Sequence, residues 1–380
     1  MHDSILDDDV RAFRDSFRKF VEKEVTPFHA QWEKDGVVPR ALWEKAGKQG
    51  FLCIGQAEEY GGSGLDFRFS AIVAEELARA MAHGPFFPLH SDIVCPYIEH
   101  YGSEEQKKKW LPKMAAGTCI GAIAMTEPGT GSDLQGIQTR AVEDGDHFVI
   151  NGSKTFISNG ILNDLCIVAC RTDTDTDSPW QSISLIVVER DTPGYVRGRQ
   201  LEKIGMHAQD TTELHFEDCR VPKTNLLGER GQGFIYLMNE LARERMIVAV
   251  GSVAGAHAAL EITTQYCKDR KAFGKPISKL QNTRFKIAEM ATEVAVAEAF
   301  SDRCIQRLLK GENLTVEASM AKYWCSEMLC RVVDMGVQLH GGYGFMNEYP
   351  ISRAYIDARV QRIYAGTTEI MKEIIARAFL

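Results

Sequence analysis

None of the ten cysteines forms a CxxC pair, and none of the ten histidines has a second histidine four residues away. No metal site is therefore expected, and the cysteines read as reduced core thiols. A GxGxxG after a strand, a P-loop and a GxSxG elbow are all missing, which removes the usual nicotinamide fingerprint, phosphate loop and serine nucleophile. Positive charge is in short supply: the net charge is −8, so the broad basic stripe that a nucleic acid needs is not available. Long hydrophobic runs are also lacking. The most apolar stretch, residues 246–260, falls short of the roughly 20 residues of a membrane span. The acidic start, MHDSILDDDVRAF, has no apolar core of a secretion signal. A cytoplasmic protein is expected, or one of the mitochondrial matrix if the source is eukaryotic.

What is present is 380 residues, 44% hydrophobic and 25% charged, enough for two or three packed layers. Residues 1–117 read as a helical domain. In 7–25 the apolar stripe Val10, Phe13, Phe17, Phe20 and Val21 alternates with charge, and Pro27 is expected to close that helix. Further helical patterns cover 41–49, 69–81 and 104–115. From 118 to 227 the texture changes to short β-branched runs such as CIGAIAM, LCIVACRT and SISLIVVE, bounded by Gly, Asn, Asp and Pro. No helix of useful length separates them, so an antiparallel barrel or sandwich fits better than a doubly wound sheet. Residues 228–380 return to helices, at 234–268, 279–309, 315–339 and 368–379. The fold class is α+β: an N-terminal helical domain, a middle antiparallel β domain and a C-terminal four-helix bundle.

The long helix after residue 233 carries Glu240 and Glu244 one turn apart on one face. Gly251 and Gly255 further along suggest close approach of another helix or a flat ligand. Three loops are rich in small and hydroxylated residues: 125–133, 151–160 and 364–368. Each offers N–H groups and hydroxyls of the kind that hold a flat polar ring or a diphosphate, and each taken singly is an ordinary turn.

Together, AMTEPGTGSD (124–133), NGSKTFISNG (151–160), DRKAFGKPI (269–277), QLHGGYGF (338–345) and IYAGTTEI (363–370) resemble the acyl-CoA dehydrogenase family of flavoproteins. The resemblance runs from about residue 10 to the end. Within that family FPLHSDIV, DLQG, MAKYW and DARVQ look most like the long-chain enzymes. The resemblance implies oxidation of a fatty acyl-CoA to its trans-2-enoyl-CoA with bound FAD, a base taking the α proton and a hydride passing from the β carbon to flavin N5. Electrons would then go to an electron-transferring flavoprotein.

The same resemblance assigns residues. Met125, Thr126, Gly131 and Ser132 fall where the family meets the flavin ring and substrate. Phe156 and Ser158 stand where many relatives have a tryptophan and a threonine. Arg270, Phe273 and Gln281 match residues that reach the FAD of a neighbouring subunit, and Gln338 and Gly342 match its adenine and pyrophosphate side. A homotetramer, or a dimer, follows. Thr367 and Glu369 match the last FAD contacts, although many relatives have glutamine at the second. Ala365 replaces the glutamate that acts as base in much of the family. The long-chain and isovaleryl enzymes carry that glutamate on the long helix instead, and Glu244 in ARERM matches its place, with Glu240 as the control candidate. Ala365 keeps the backbone N–H that would meet the substrate carbonyl. Arg245 would help to position CoA or the helix start, or pair with Glu240 or Glu244.

Other substrates fit the same residues: a branched or terpenoid acyl-CoA, or an acyl group on a carrier protein. A non-catalytic FAD scaffold and an oxygen-using flavin enzyme are the competing classes. Phe86, Phe87 and Ile93 are candidates for the acyl pocket.

Overall fold

The computed structural model describes residues 1, 5–172 and 178–380. The first helical part comprises α1 (Asp8–Phe20), α2 (Thr26–Asp35), α3 (Arg40–Lys48), α4 (Phe67–Arg79), α5 (Cys95–Tyr101) and α6 (Glu104–Ala115). Asp7 caps α1 by accepting the Val10 N–H, and the predicted stripe buries Val10, Phe17 and Phe20. Pro27 does not close this helix. A wide turn at Val21–Val25 carries the chain into α2, where Pro27 occupies the first turn, a position with no N–H to lose. Helix α5 carries no periodic signal in the sequence because Pro88 and Pro96 break the pattern around it; Pro96 too sits in a first turn. Ser103 and Gln106 form a reciprocal capping box on α6.

The middle part holds β1 (Gly121–Ala124), β2 (Arg140–Asp144), β3 (His147–Ser158), β4 (Leu165–Arg171), β5 (Ile183–Glu189), β6 (Tyr195–Gln200), β7 (Thr211–Pro222) and β8 (Leu226–Leu227). The sheet order is β6-β7-β3-β2-β4-β5-β8, with β1 beside β4. Most neighbours are antiparallel, as expected, but β1 and β2 each pair with β4 in parallel. Strands β4 and β5 are buried along nearly their whole length, which explains their continuous apolar runs.

The last part contains α7 (Gly233–Asp269), a small hairpin of β9 (Lys271–Ala272) and β10 (Lys275–Pro276), α8 (Gln281–Leu309), α9 (Thr315–His340), α10 (Pro350–Ala358) and α11 (Thr368–Arg377). Helix α10 was not anticipated. Helix α7 packs on α9, α8 and, across the chain, α4, so it is apolar on more than one face. It is long and apolar enough to cross a membrane by composition, yet 67% of its most apolar window is buried inside this fold. Within this chain a Cβ placed on Gly251 meets nothing within 4 Å, and one on Gly255 meets the tip of Leu329 of α9 at 3.5 Å.

Candidate active site

Helix α7 brings both acidic candidates inside. Glu244 is 3% exposed and Glu240 8%, so neither is a solvated surface carboxylate. Their partners come from α5. The Tyr97 hydroxyl donates to Glu244 Oε1 at 2.9 Å. Glu240 Oε1 instead accepts from the Tyr101 hydroxyl at 3.0 Å and lies 2.8 Å from His100 Nδ1. Burial pushes the Glu244 carboxyl up to about 7; the Tyr97 hydrogen bond and Arg245 oppose that, and the negative Glu240 adds to it. Glu244 is thus the carboxylate that a small change of surroundings switches between acid and base near neutrality.

Arg245 makes no ion pair with either glutamate among the described residues. Its Nη1 donates to Ser319 Oγ at 3.2 Å, its Nε has no partner, and it is buried. Turning one position along a helix moves a side chain by about 100°, which separates Arg245 from the Glu240/Glu244 face.

The loop 363–367 is tied to α9. Ala365 has φ +51° and Gly366 φ +91°. The Ala365 N–H has no hydrogen-bond partner among the described residues. Lys322 of α9, fully buried, donates to the Gly366 carbonyl at 2.6 Å. Phe86 stacks on Tyr364 with ring centroids 6.3 Å apart, which places it beside this loop, whereas Phe87 is packed away against Trp43.

The middle-part candidates form a second group. Thr155 donates its N–H to the Thr126 carbonyl at 2.9 Å, tying the 125–133 loop to β3. Lys154, with no exposed surface, reaches the Met125 carbonyl at 3.0 Å and Glu127 Oε1 at 2.8 Å. Glu127 in turn accepts the N–H groups of Gln138 and Thr139. This buried ion pair shapes the loop, and neither partner stood out from the sequence as more than part of a motif. Gly131 and Ser132 are exposed, with open space where a Gly131 Cβ would stand. Phe156 is 68% exposed on β3 at a register shift, with φ +59°. Ser158 ends the same strand, half-buried.

Arg270, Gln338 and Gly342 meet in an open groove of about 580 Å³ that Tyr266 and Tyr343 also line. Arg270 lies over the Tyr343 ring at 5.3 Å. Phe273, 91% exposed with φ +51°, and Gln281 lie on the outer surface and do not line this groove. Thr367 caps α11, its hydroxyl accepting the Ile370 N–H at 3.3 Å, and Glu369 is exposed just beyond it. Phe156, Phe273 and Ala365 all hold a left-handed backbone that non-glycine residues seldom adopt, as strained functional positions often do.

A flat ring with a diphosphate fits these surfaces. No atom lies within 4 Å of a Cβ built on Gly129, Gly131, Gly341 or Gly342, so backbone is open to close approach at both the loop and the groove. Arg270 supplies a cation at the groove.

Comparison with known proteins agrees with this geometry. Residues 7–118 match the acyl-CoA dehydrogenase N-terminal domain, 122–219 the middle domain and 231–380 the C-terminal domain. The long-chain specific acyl-CoA dehydrogenase of Sus scrofa mitochondria is 55% identical over 365 residues, 96% of this chain and 85% of that protein. An acyl-CoA dehydrogenase structure from Geobacillus kaustophilus superposes with a TM-score of 0.97 at 53% identity, over 99% of each chain. One from Bacillus anthracis, complexed with FAD, gives 0.93 at 35% identity, over all of this chain and 68% of that one. Three parts that each match in order and over almost the whole length leave one conclusion: the chain belongs to the acyl-CoA dehydrogenase family.

Proposed function

We propose that the protein dehydrogenates long-chain fatty acyl-CoA to trans-2-enoyl-CoA, with Glu244 as the base that removes the α proton. The observation that carries this reading is a buried glutamate, poised near neutrality, on α7, where the sequence has an alanine at 365.

An α C–H next to a thioester is a weak acid. It ionises only if the carbonyl is polarised and a carboxylate stripped of water meets the proton. The unpaired Ala365 N–H is the donor for the thioester oxygen, and Lys322 fixes the turn that presents it. Glu244 takes the proton. An apolar acyl chain excludes water and strengthens both interactions. FAD, when bound, accepts the β hydride. Met125, Thr126, Gly131, Ser132, Phe156 and Ser158 would hold its ring side with substrate; Arg270, Gln338 and Gly342 would hold its diphosphate side, with Thr367 and Glu369 near the last contacts. Arg245 supports the α7 end of the substrate site.

Phe273 and Gln281, exposed and outside the groove, would reach the FAD of a neighbouring copy in a homotetramer or dimer. The exposed Phe285 and Phe345 give that contact apolar surface. An electron-transferring flavoprotein is the acceptor, in the cytoplasm or, for a eukaryotic source, the mitochondrial matrix.

Anaerobic titration of the FAD-loaded protein with saturated acyl-CoAs of increasing length tests this. Flavin bleaching should be strongest with long chains, and Glu244→Gln should abolish it. Bleaching by no acyl-CoA ends the enzyme reading, and preference for branched or short chains ends the substrate reading.

A further inference from the structure

We propose that Tyr97 is a positioning residue for the base: its hydroxyl, brought from α5 in the first helical part, fixes the Glu244 carboxylate and keeps it ionisable at neutral pH. This rests on Glu244 being the base.

The geometry is specific. Tyr97 has no exposed surface, and its hydroxyl has Glu244 Oε1 as its hydrogen-bond partner, at 2.9 Å. Burial and the nearby carboxylates push the phenol well above its ordinary range, so it stays protonated and can only donate in this pair. The registers of the two helices match in opposite directions. Tyr97 and Tyr101 are one turn apart on α5, Glu244 and Glu240 one turn apart on α7, and each tyrosine donates to one carboxylate. A phenylalanine would fill the Tyr97 cavity equally well, so packing alone does not call for the hydroxyl. Its effect is electrostatic.

The groups acting on Glu244 are few. Tyr97 faces it from α5, and Glu240 and Arg245 act from α7 itself. One step further out, His100 and Tyr101 engage Glu240, while Lys322 of α9 lies near enough to Arg245 to feel its charge. Burial and Glu240 favour the protonated carboxyl; Tyr97 and Arg245 favour the carboxylate. Without the Tyr97 donor, Glu244 keeps its proton at neutral pH and cannot take another.

The test is the pH dependence of kcat/KM for the FAD-loaded Tyr97→Phe protein with a long-chain acyl-CoA, since that ratio reports groups of the free enzyme. The acid limb should move up by about one pH unit, as expected for losing one hydrogen bond to a charged group. Activity should fall several-fold at pH 7 and recover toward the parent value at pH 9. An acid limb at the parent position, with Glu244→Gln inactive, overturns the proposal. Turnover by Glu244→Gln at the parent rate overturns instead the assignment of the base. An apparent pKa does not depend on the fraction of active protein, so partial misfolding of Tyr97→Phe does not mask either result.

Discussion

Lys322 and Gly366 are joined by a 2.6 Å hydrogen bond from an ammonium with no exposed surface to the carbonyl that follows the left-handed Ala365. Burial, and then the neighbouring Arg245, bring this lysine down to about 8. A cation held in so unfavourable a place must be doing local work, and what it touches is the turn that aims the Ala365 N–H. Glu327 grips the same segment from α9, accepting from Arg362 Nε at 2.7 Å and Thr368 Oγ1 at 3.0 Å.

Lys322→Met keeps the length of the side chain and removes the donor. A hydrogen bond from a charged group contributes about 1.5–3 kcal/mol, so kcat should fall roughly 10- to 100-fold. KM and FAD content should change much less, because Met371 still packs against Gly366. Steady-state kinetics with flavin quantitation checks this. A kcat within twofold of the parent would show that the turn holds itself.

Glu240 acts on the base in the opposite sense to Tyr97. Its negative charge is one of the causes that raise Glu244 to about 7. Activity needs the ionised base, so it should be lost as the pH falls through that value. Glu240→Gln removes the like charge, and the acid limb of kcat/KM should move to lower pH. Tyr101 and His100 retain an acceptor in the glutamine carbonyl, which limits rearrangement. A limb that stays in place or rises would mean that Glu240 is screened from the base.

Much of this was legible in the sequence because local pattern and global fold agree. The stripe from Val10 to Phe20 became a buried helix face, and the apolar runs of β4 and β5 became buried strands. Glu244 is singled out by its motif, through the departure at Ala365, and the fold buries it. Helices α5 and α10 were missed for one reason: each begins at or next to a proline, which breaks a periodic pattern but suits a first turn. Tyr97, Lys154 and Lys322 were missed for another. Their partners lie 147, 27 and 44 residues away, and no spacing rule joins them. A lysine amid the apolar pattern of α9 was the available signal, and its meaning depends on what the fold places opposite.

Asp357, at the end of α10, provides a test of stability apart from catalysis. It is 1% exposed; its Oδ1 accepts the Met206 N–H at 2.5 Å, and its Oδ2 has no partner. Burial lifts its carboxyl from 3.8 to about 7. Between those values the folded protein holds a proton that the unfolded chain has released, so this group makes stability fall as the pH rises from about 4 to 7. Asp357→Asn keeps the acceptor for Met206 and removes the ionisation. The variant should match the parent near pH 4 and exceed it at pH 8, by at most about 4 kcal/mol from the size of the shift. Urea denaturation at both values, with FAD saturating, measures the difference. An equal difference at pH 4 and pH 8 would mean that Asp357 is ionised throughout and that Arg353 or His207, which both favour its charge, outweighs burial.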